Sequence, residues 1–259
     1  MHDYPLIEKL KNEMNNNHPY PLIIAGPCAV ENLDDMLSYA ENMKKHNVSY
    51  IRSSLFKPRT SPHDFQGLHD EGIKILKQIK DQYDLKLVCE ITAIDQISLL
   101  SPVIDVFQVG ARSMQNFELL KELGKTNKTI LLKRGFGNTI DEWLGACEYI
   151  LEQGNKNIIL CERGIRSFDN TLRNTLDLSG AILVKKLTNL PVIIDPSHAT
   201  GSRDLIEPLC LASIAAGLDG FIVEVHKDPN HALSDGMQSI TIDNFNEILN
   251  KVNKILQVL

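Results

Sequence analysis

Cys28, His198, Glu224 and Asp235 offer one thiolate, one imidazole and two carboxylates. That mixture of soft and hard donors suits a divalent transition metal such as manganese, iron, cobalt or zinc better than magnesium or calcium. The cysteines show no short-range zinc spacing such as CxxC, so only a tertiary fold could gather the four. A second group is cationic: Arg52, Lys57, Arg59, Arg112, Lys133 and Arg163 each follow an apolar run. Forked guanidinium groups suit phosphate and carboxylate. Six such cations brought to one place would repel one another unless they receive anions. Taken singly, each residue has an ordinary reading, since cysteine is often core, a lone histidine is often just hydrogen-bonded, and lysine or arginine often sits on a solvated rim. Their joint placement carries the chemistry.

The elements that could place them are a series of strand and helix units. Apolar runs at 21–25, 50–54, 86–91, 103–109, 129–133, 157–161, 191–194 and 220–225 predict strands. Helical spacing follows them at 32–46, 67–83, 93–100, 116–125, 140–153, 171–187, 203–217 and 242–258. The runs LIIA, TILL, NIIL and PVII are continuously apolar, as strands of a parallel sheet buried on both faces must be. Eight units in 259 residues predict an α/β fold of one domain, a closed (β/α)8 TIM barrel rather than an open doubly wound sheet. Residues 1–20 form a short N-terminal extension in this reading, and 21–259 form the catalytic barrel. Barrel active sites lie at the C-terminal strand ends. There the chain reads GPCAVE with Cys28, RSSLFKPRTSP with Arg52 to Thr60, CEIT with Glu90, and QVGARS with Arg112. It continues with LLKRG carrying Lys133 and Arg134, CERG carrying Glu162 and Arg163, DPSHATG carrying Asp195 and His198, VEVH carrying Glu224 and His226, and a loop with Asp235. Strands one and eight are neighbours in a closed barrel, so Cys28 can meet Glu224 and Asp235.

Composition narrows the partners. With 33 acidic and 27 basic residues the formal charge is -6, which argues against nucleic acid or an acidic membrane as a partner. Five scattered cysteines fit reduced thiols rather than a secreted disulfide framework. No run approaches the roughly 18 apolar residues of a membrane span, and the N-terminus lacks the apolar core of a signal peptide. A cytoplasmic enzyme of small molecules is the expectation.

In this order, GPCAVE, IRSSLFKPRTSP, CEIT, QVGARSMQN, LLKRG, CERG, DPSHATG and VEVH resemble 3-deoxy-7-phosphoheptulonate synthase, in particular the short second subdivision of its type I enzymes. The resemblance spans about residues 21–241. It implies a metal-dependent, aldol-like condensation of phosphoenolpyruvate with D-erythrose 4-phosphate that releases phosphate, the first step of the shikimate pathway to chorismate and aromatic amino acids. It implies one divalent metal per subunit on Cys28, His198, Glu224 and Asp235. By the same resemblance Arg112, Lys133 and Arg163 hold the phosphate of phosphoenolpyruvate, Arg52 and Lys57 lie near its carboxylate, and Arg59 and Thr60 meet the aldose phosphate. Lys57 is the implied proton donor, and Glu90 with Lys133 would hold the attacking water. Relatives are oligomers, so a homodimer or homotetramer is expected. The family's regulatory domains, a ferredoxin-like N-terminal extension or a fused chorismate mutase, have no counterpart here, which predicts no intrinsic feedback inhibition by aromatic amino acids. The main alternative is 3-deoxy-octulosonate 8-phosphate synthase, acting on arabinose 5-phosphate; it typically reads KANRSS where this chain has Lys57 to Ser61. A class I aldolase with Lys133 as Schiff base, or a non-enzymatic sensor of a phosphometabolite, are the other readings.

Overall fold

The computed structural model of the chain describes residues 3–13, 20–57, 59, 61 and 63–259, so Thr60 lies outside the described residues. Eight strands, β1 (Leu22–Gly26), β2 (Tyr50–Arg52), β3 (Lys86–Glu90), β4 (Val106–Val109), β5 (Thr129–Lys133), β6 (Ile158–Glu162), β7 (Val192–Ile194) and β8 (Gly220–Glu224), close in sequence order into a parallel barrel. The closing pair runs from Leu22 opposite Gly220 to Gly26 opposite Glu224. Helices α1 (Pro5–Glu13), α2 (Leu33–Lys45), α3 (His69–Tyr83), α4 (Asp95–Leu100) and α5 (Phe117–Gly124) belong to the first half. α6 (Ile140–Glu152), α7 (Leu178–Thr188), α8 (Pro196–Thr200), α9 (Ile206–Ala215) and α10 (Ile242–Leu256) complete the chain.

The apolar runs are continuous because both strand faces are buried, yet side chains still alternate between two cores. Leu22 and Ile24 point into the barrel with Leu131, Ile159 and Ile222. Ile23 and Ala25 point outward against the helices. This period of two decides what happens at the strand tips. In β5 the inward residues are Leu131 and then Lys133, so Arg134 turns out; in β6 they are Ile159 and Cys161, so Glu162 turns out and Arg163 in. Helix starts follow local chemistry. Asn32 accepts from Asp35 N ahead of α2, and Thr139 with Glu142 forms a reciprocal capping box ahead of α6.

The elements depart from the expected ones in four places. β4 begins at Val106 rather than 103, because the amides of Val103 and Ile104 bond back to Leu100 O and close α4. α7 begins at Leu178 rather than 171, under an Asp177 cap that accepts from Gly180 N. Residues before it form a series of bends beside α8, with Asn174 N on Ala199 O at 2.8 Å. α8 itself is an unexpected short helix after β7. α1 is the other addition: it packs on α6 and α7, with Ile7 N donating to Glu148 Oε1 at 2.7 Å.

Candidate active site at the barrel mouth

The closing register seats the metal-type donors together. Gly26 pairs with Glu224, so Cys28 emerges from β1 beside the Glu224 carboxylate. Gly26 has φ +141°, and a Cβ there would meet Arg52 O at 2.4 Å, so glycine lets β1 and β2 approach at this tip. The DPSHATG segment folds as a capped turn. Asp195 accepts from His198 N at 3.0 Å, Pro196 takes the first turn, where no amide is missed, and Gly201 ends α8 at φ +69°. The one-turn helix presents the His198 ring to the barrel axis. Asp235 lies at the start of a tight turn with φ +54° and directs Oδ2 to within 2.9 Å of Cys28 Sγ.

Ligand atoms of Cys28, His198, Glu224 and Asp235 all lie within 4.8 Å of one another. Glu224 Oε1 is buried, 3.3 Å from His198 Nε2 and 3.2 Å from Arg52 Nη1, yet aligned with neither as a hydrogen-bond acceptor. Four such donors converging on one point, with Glu224 Oε1 left without an aligned partner among the described residues, fit a shared cation, and the sulfur, nitrogen and oxygen set fits a transition metal. Burial and the Glu224 charge push the Cys28 thiol pKa up, although Lys57 and Arg52 oppose them. Burial lowers the His198 pKa despite Asp195 and Glu224, which favours the neutral, ligating imidazole. Burial raises the Asp235 pKa, but His198, the Cys28 contact and Lys57 outweigh it and bring the group down to about 2.

Beside this cluster is a cavity of about 240 Å³. All six expected cations line it, with Glu90, His198 and Asp235. Arg52 is 2% exposed, and its Nε and Nη1 donors have no aligned partner among the described residues. Lys57 Nζ lies 2.9 Å from Cys28 Sγ. Burial lowers the Lys57 pKa, but Cys28, Glu90 and Glu224 outweigh it and hold the pKa above the usual lysine range, so the amine stays protonated. Lys133 Nζ is 2.5 Å from Asp195 Oδ2, which also lies 2.8 Å from His198 Nδ1. Burial raises the Asp195 pKa, but His198 and Lys133 drive it well below the usual carboxylate range. Arg163 Nη2 donates to His198 O at 2.8 Å, and its guanidinium lies 4.7 Å from the Phe136 ring centre; Arg112 lies over the same ring. Arg59 reaches the wall from the β2 to α3 loop, 3.6 Å from Asp64 Oδ2. A Cβ at Gly110 would fall 2.0 Å from Glu90 Oε1, so glycine there makes room for that carboxylate.

Arg134, Glu162 and His226 belong neither to the four-donor cluster nor to the cavity wall. Arg134 pairs with Glu162 and Asp177, each at 2.9 Å, behind the barrel wall. His226 faces Glu31 at 3.4 Å. Arg173 and Phe136 line the cavity without having been expected there. Arg173 was hidden in a segment with helical spacing, and Phe136 is a lone aromatic between glycines with no signal of its own.

A family model described as "DAHP synthetase I family" matches residues 7–258. A "Phospho-2-dehydro-3-deoxyheptonate aldolase" of Thermotoga maritima is 45% identical over 240 residues, which cover 93% of this chain and 71% of that one. A "2-dehydro-3-deoxyphosphooctonate aldolase" of Geobacter sulfurreducens is 31% identical over 252 residues, 90% of this chain and 92% of the other. Among solved structures, a truncated form of 3-deoxy-D-arabino-heptulosonate 7-phosphate synthase from Thermotoga maritima superposes with a TM-score of 0.86 at 40% identity, covering 95% of this chain and 92% of that chain.

Proposed function

The chain belongs to the DAHP synthetase I family, and on that premise we propose that its barrel mouth condenses phosphoenolpyruvate with D-erythrose 4-phosphate to 3-deoxy-7-phosphoheptulonate and inorganic phosphate. The supporting observation is the meeting of the four convergent donors with the buried guanidinium of Arg52, whose Nε and Nη1 lack aligned partners among the described residues, at one cationic cavity. A divalent cation held by Cys28, His198, Glu224 and Asp235 would supply Lewis acidity, polarising the aldehyde.

The chain's own residues do the rest. Arg112, Lys133 and Arg163 bind the phosphate of phosphoenolpyruvate, and Arg52 with Lys57 orients its carboxylate, which fixes the methylene carbon toward the aldehyde carbon. As the carbon–carbon bond forms, Lys57, protonated beside Cys28, gives its proton to the aldehyde oxygen. Glu90 and Lys133 hold the water that adds to the cationic carbon left behind. The resulting tetrahedral carbon expels phosphate by carbon–oxygen cleavage. Arg59 and Thr60 receive the aldose phosphate, which directs the site to the four-carbon sugar. The working unit is a homo-oligomer in this reading.

Phosphate release from phosphoenolpyruvate with either erythrose 4-phosphate or arabinose 5-phosphate, with and without chelator, tests this reading. The expected result is turnover with erythrose 4-phosphate that chelation abolishes and added Mn²⁺ restores. Turnover indifferent to chelator would refute the metal role, and preference for arabinose 5-phosphate would refute the aldose.

A further inference from the structure

Behind Glu224 lies a second layer that the reaction does not itself use. Gln238 is 3% exposed in the 3-10 turn Gly236–Gln238 that follows Asp235. Its Nε2 donates to Glu224 Oε2 at 2.6 Å, and its Oε1 accepts from Arg173 Nη1 at 2.5 Å. The opposite amide orientation would set its oxygen against the carboxylate and its NH2 against the guanidinium, so chemistry permits only this one. With Oε2 engaged, Glu224 presents Oε1 to the donor cluster.

Arg173 is itself anchored. Its backbone N donates to Thr200 O at 3.2 Å, and Asn174 Nδ2 donates to His198 O at 3.3 Å. From the other side Arg203 Nη2 holds Gly236 O at 2.8 Å. One guanidinium and one amide therefore tie together the segments that carry His198, Glu224 and Asp235.

We propose that Arg173 and Gln238 form a positioning relay that holds Glu224 in its cation-binding orientation. The proposal rests on the reading of the four-donor cluster as a metal site. It makes a prediction of unusual sign. Arg173 is a cation close enough to Asp235 to lower its pKa. By charge alone, deleting it would tighten binding of a divalent cation. A positioning role requires the opposite.

The test is Co²⁺ titration of the metal-stripped full chain, followed by the thiolate-to-cobalt absorption band. Gln238→Met should raise the Kd for Co²⁺ about 10–100-fold, the range for lost outer partners of metal ligands. Arg173→Ala should weaken binding in the same direction by less, Arg173→Lys should recover part of it, and the double variant should bind no worse than Gln238→Met. Arg173→Ala with unchanged or tighter Co²⁺ binding overturns the relay, and so do losses that multiply in the double variant. Arg173 is exposed, so its variants decide the matter even if Gln238→Met fails to fold. A parent protein that shows no cobalt band would instead sink the metal reading, and the relay with it.

Discussion

Arg134→Met should destabilise the protein by an amount that depends on pH. The guanidinium, 4% exposed, donates to Glu162 Oε2 and Asp177 Oδ2, each at 2.9 Å, and to Asn138 O at 2.9 Å. Glu162 is fully buried, and its carboxylate also accepts from Gly164 N, at 2.6 Å from Oε1. Without the cation, Glu162 can remain charged at a cost of about 3–5 kcal/mol. It can instead take up a proton, which from an ordinary glutamate pKa costs about 4 kcal/mol at pH 7. The cheaper route governs, so the loss at pH 7 is about 3–4 kcal/mol, or roughly 6–16 °C in Tm for a chain of this size. Burial already raises the Glu162 pKa, with Arg134 opposing it, so the variant's native state holds the proton more firmly still. An acid whose native pKa exceeds its unfolded value carries no penalty below the unfolded pKa. Relative to the parent, whose Glu162 pKa is itself raised, the deficit opens above the parent's native pKa and grows by about 1.4 kcal/mol per pH unit until the variant's is reached. Thermal unfolding by circular dichroism should therefore show variant and parent converging from pH 8 down to pH 5, where about 1 kcal/mol or less of this deficit remains. Arg134→Met with Glu162→Gln should recover most of the loss at pH 7. A deficit that is flat between pH 5 and 8, or a double variant no better than the single, would refute the reasoning.

Other perturbations separate the roles at the mouth. Arg59→Ala should raise KM for erythrose 4-phosphate about 10–100-fold, as expected for lost charged hydrogen bonds, with KM for phosphoenolpyruvate nearly unchanged; equal rises in both would count against an aldose-phosphate role. Gly110→Ala displaces the Glu90 carboxylate, the flexible end of a side chain, so the fold should survive while kcat falls about 10²-fold; parent-like kcat would remove Glu90 from the chemistry. Asp195→Asn takes the shared anion from between Lys133 and His198, and metal affinity measured by chelator competition should fall about 10-fold or more, whereas an unchanged value would deny Asp195 any part in orienting His198.

The barrel was legible because its strands are continuous apolar runs at regular spacing, and the reactive groups because their types are uncommon at strand tips. What was illegible is which of two adjacent polar residues enters the mouth. LLKRG and CERG each end in a pair, and only the alternation fixed by barrel closure turns Lys133 and Arg163 inward and Arg134 and Glu162 outward. Closure also supplied what no local pattern holds. Arg173 occupies a stretch with helical spacing that stays out of a helix because its backbone bonds to α8, a helix itself begun by the Asp195 cap. Gln238 is a neutral amide whose importance arises only when its turn folds over Glu224.

Residues that meet substrates must carry particular chemistry, so their types betray them. Residues that aim those groups need only fit the contacts offered, and a glutamine between an arginine and a glutamate does so without leaving a motif. The difference has a consequence for variants of this chain. Changes at Cys28 or His198 should abolish function whatever surrounds them, whereas changes at Gln238 should depend on whether Arg173 still anchors the relay.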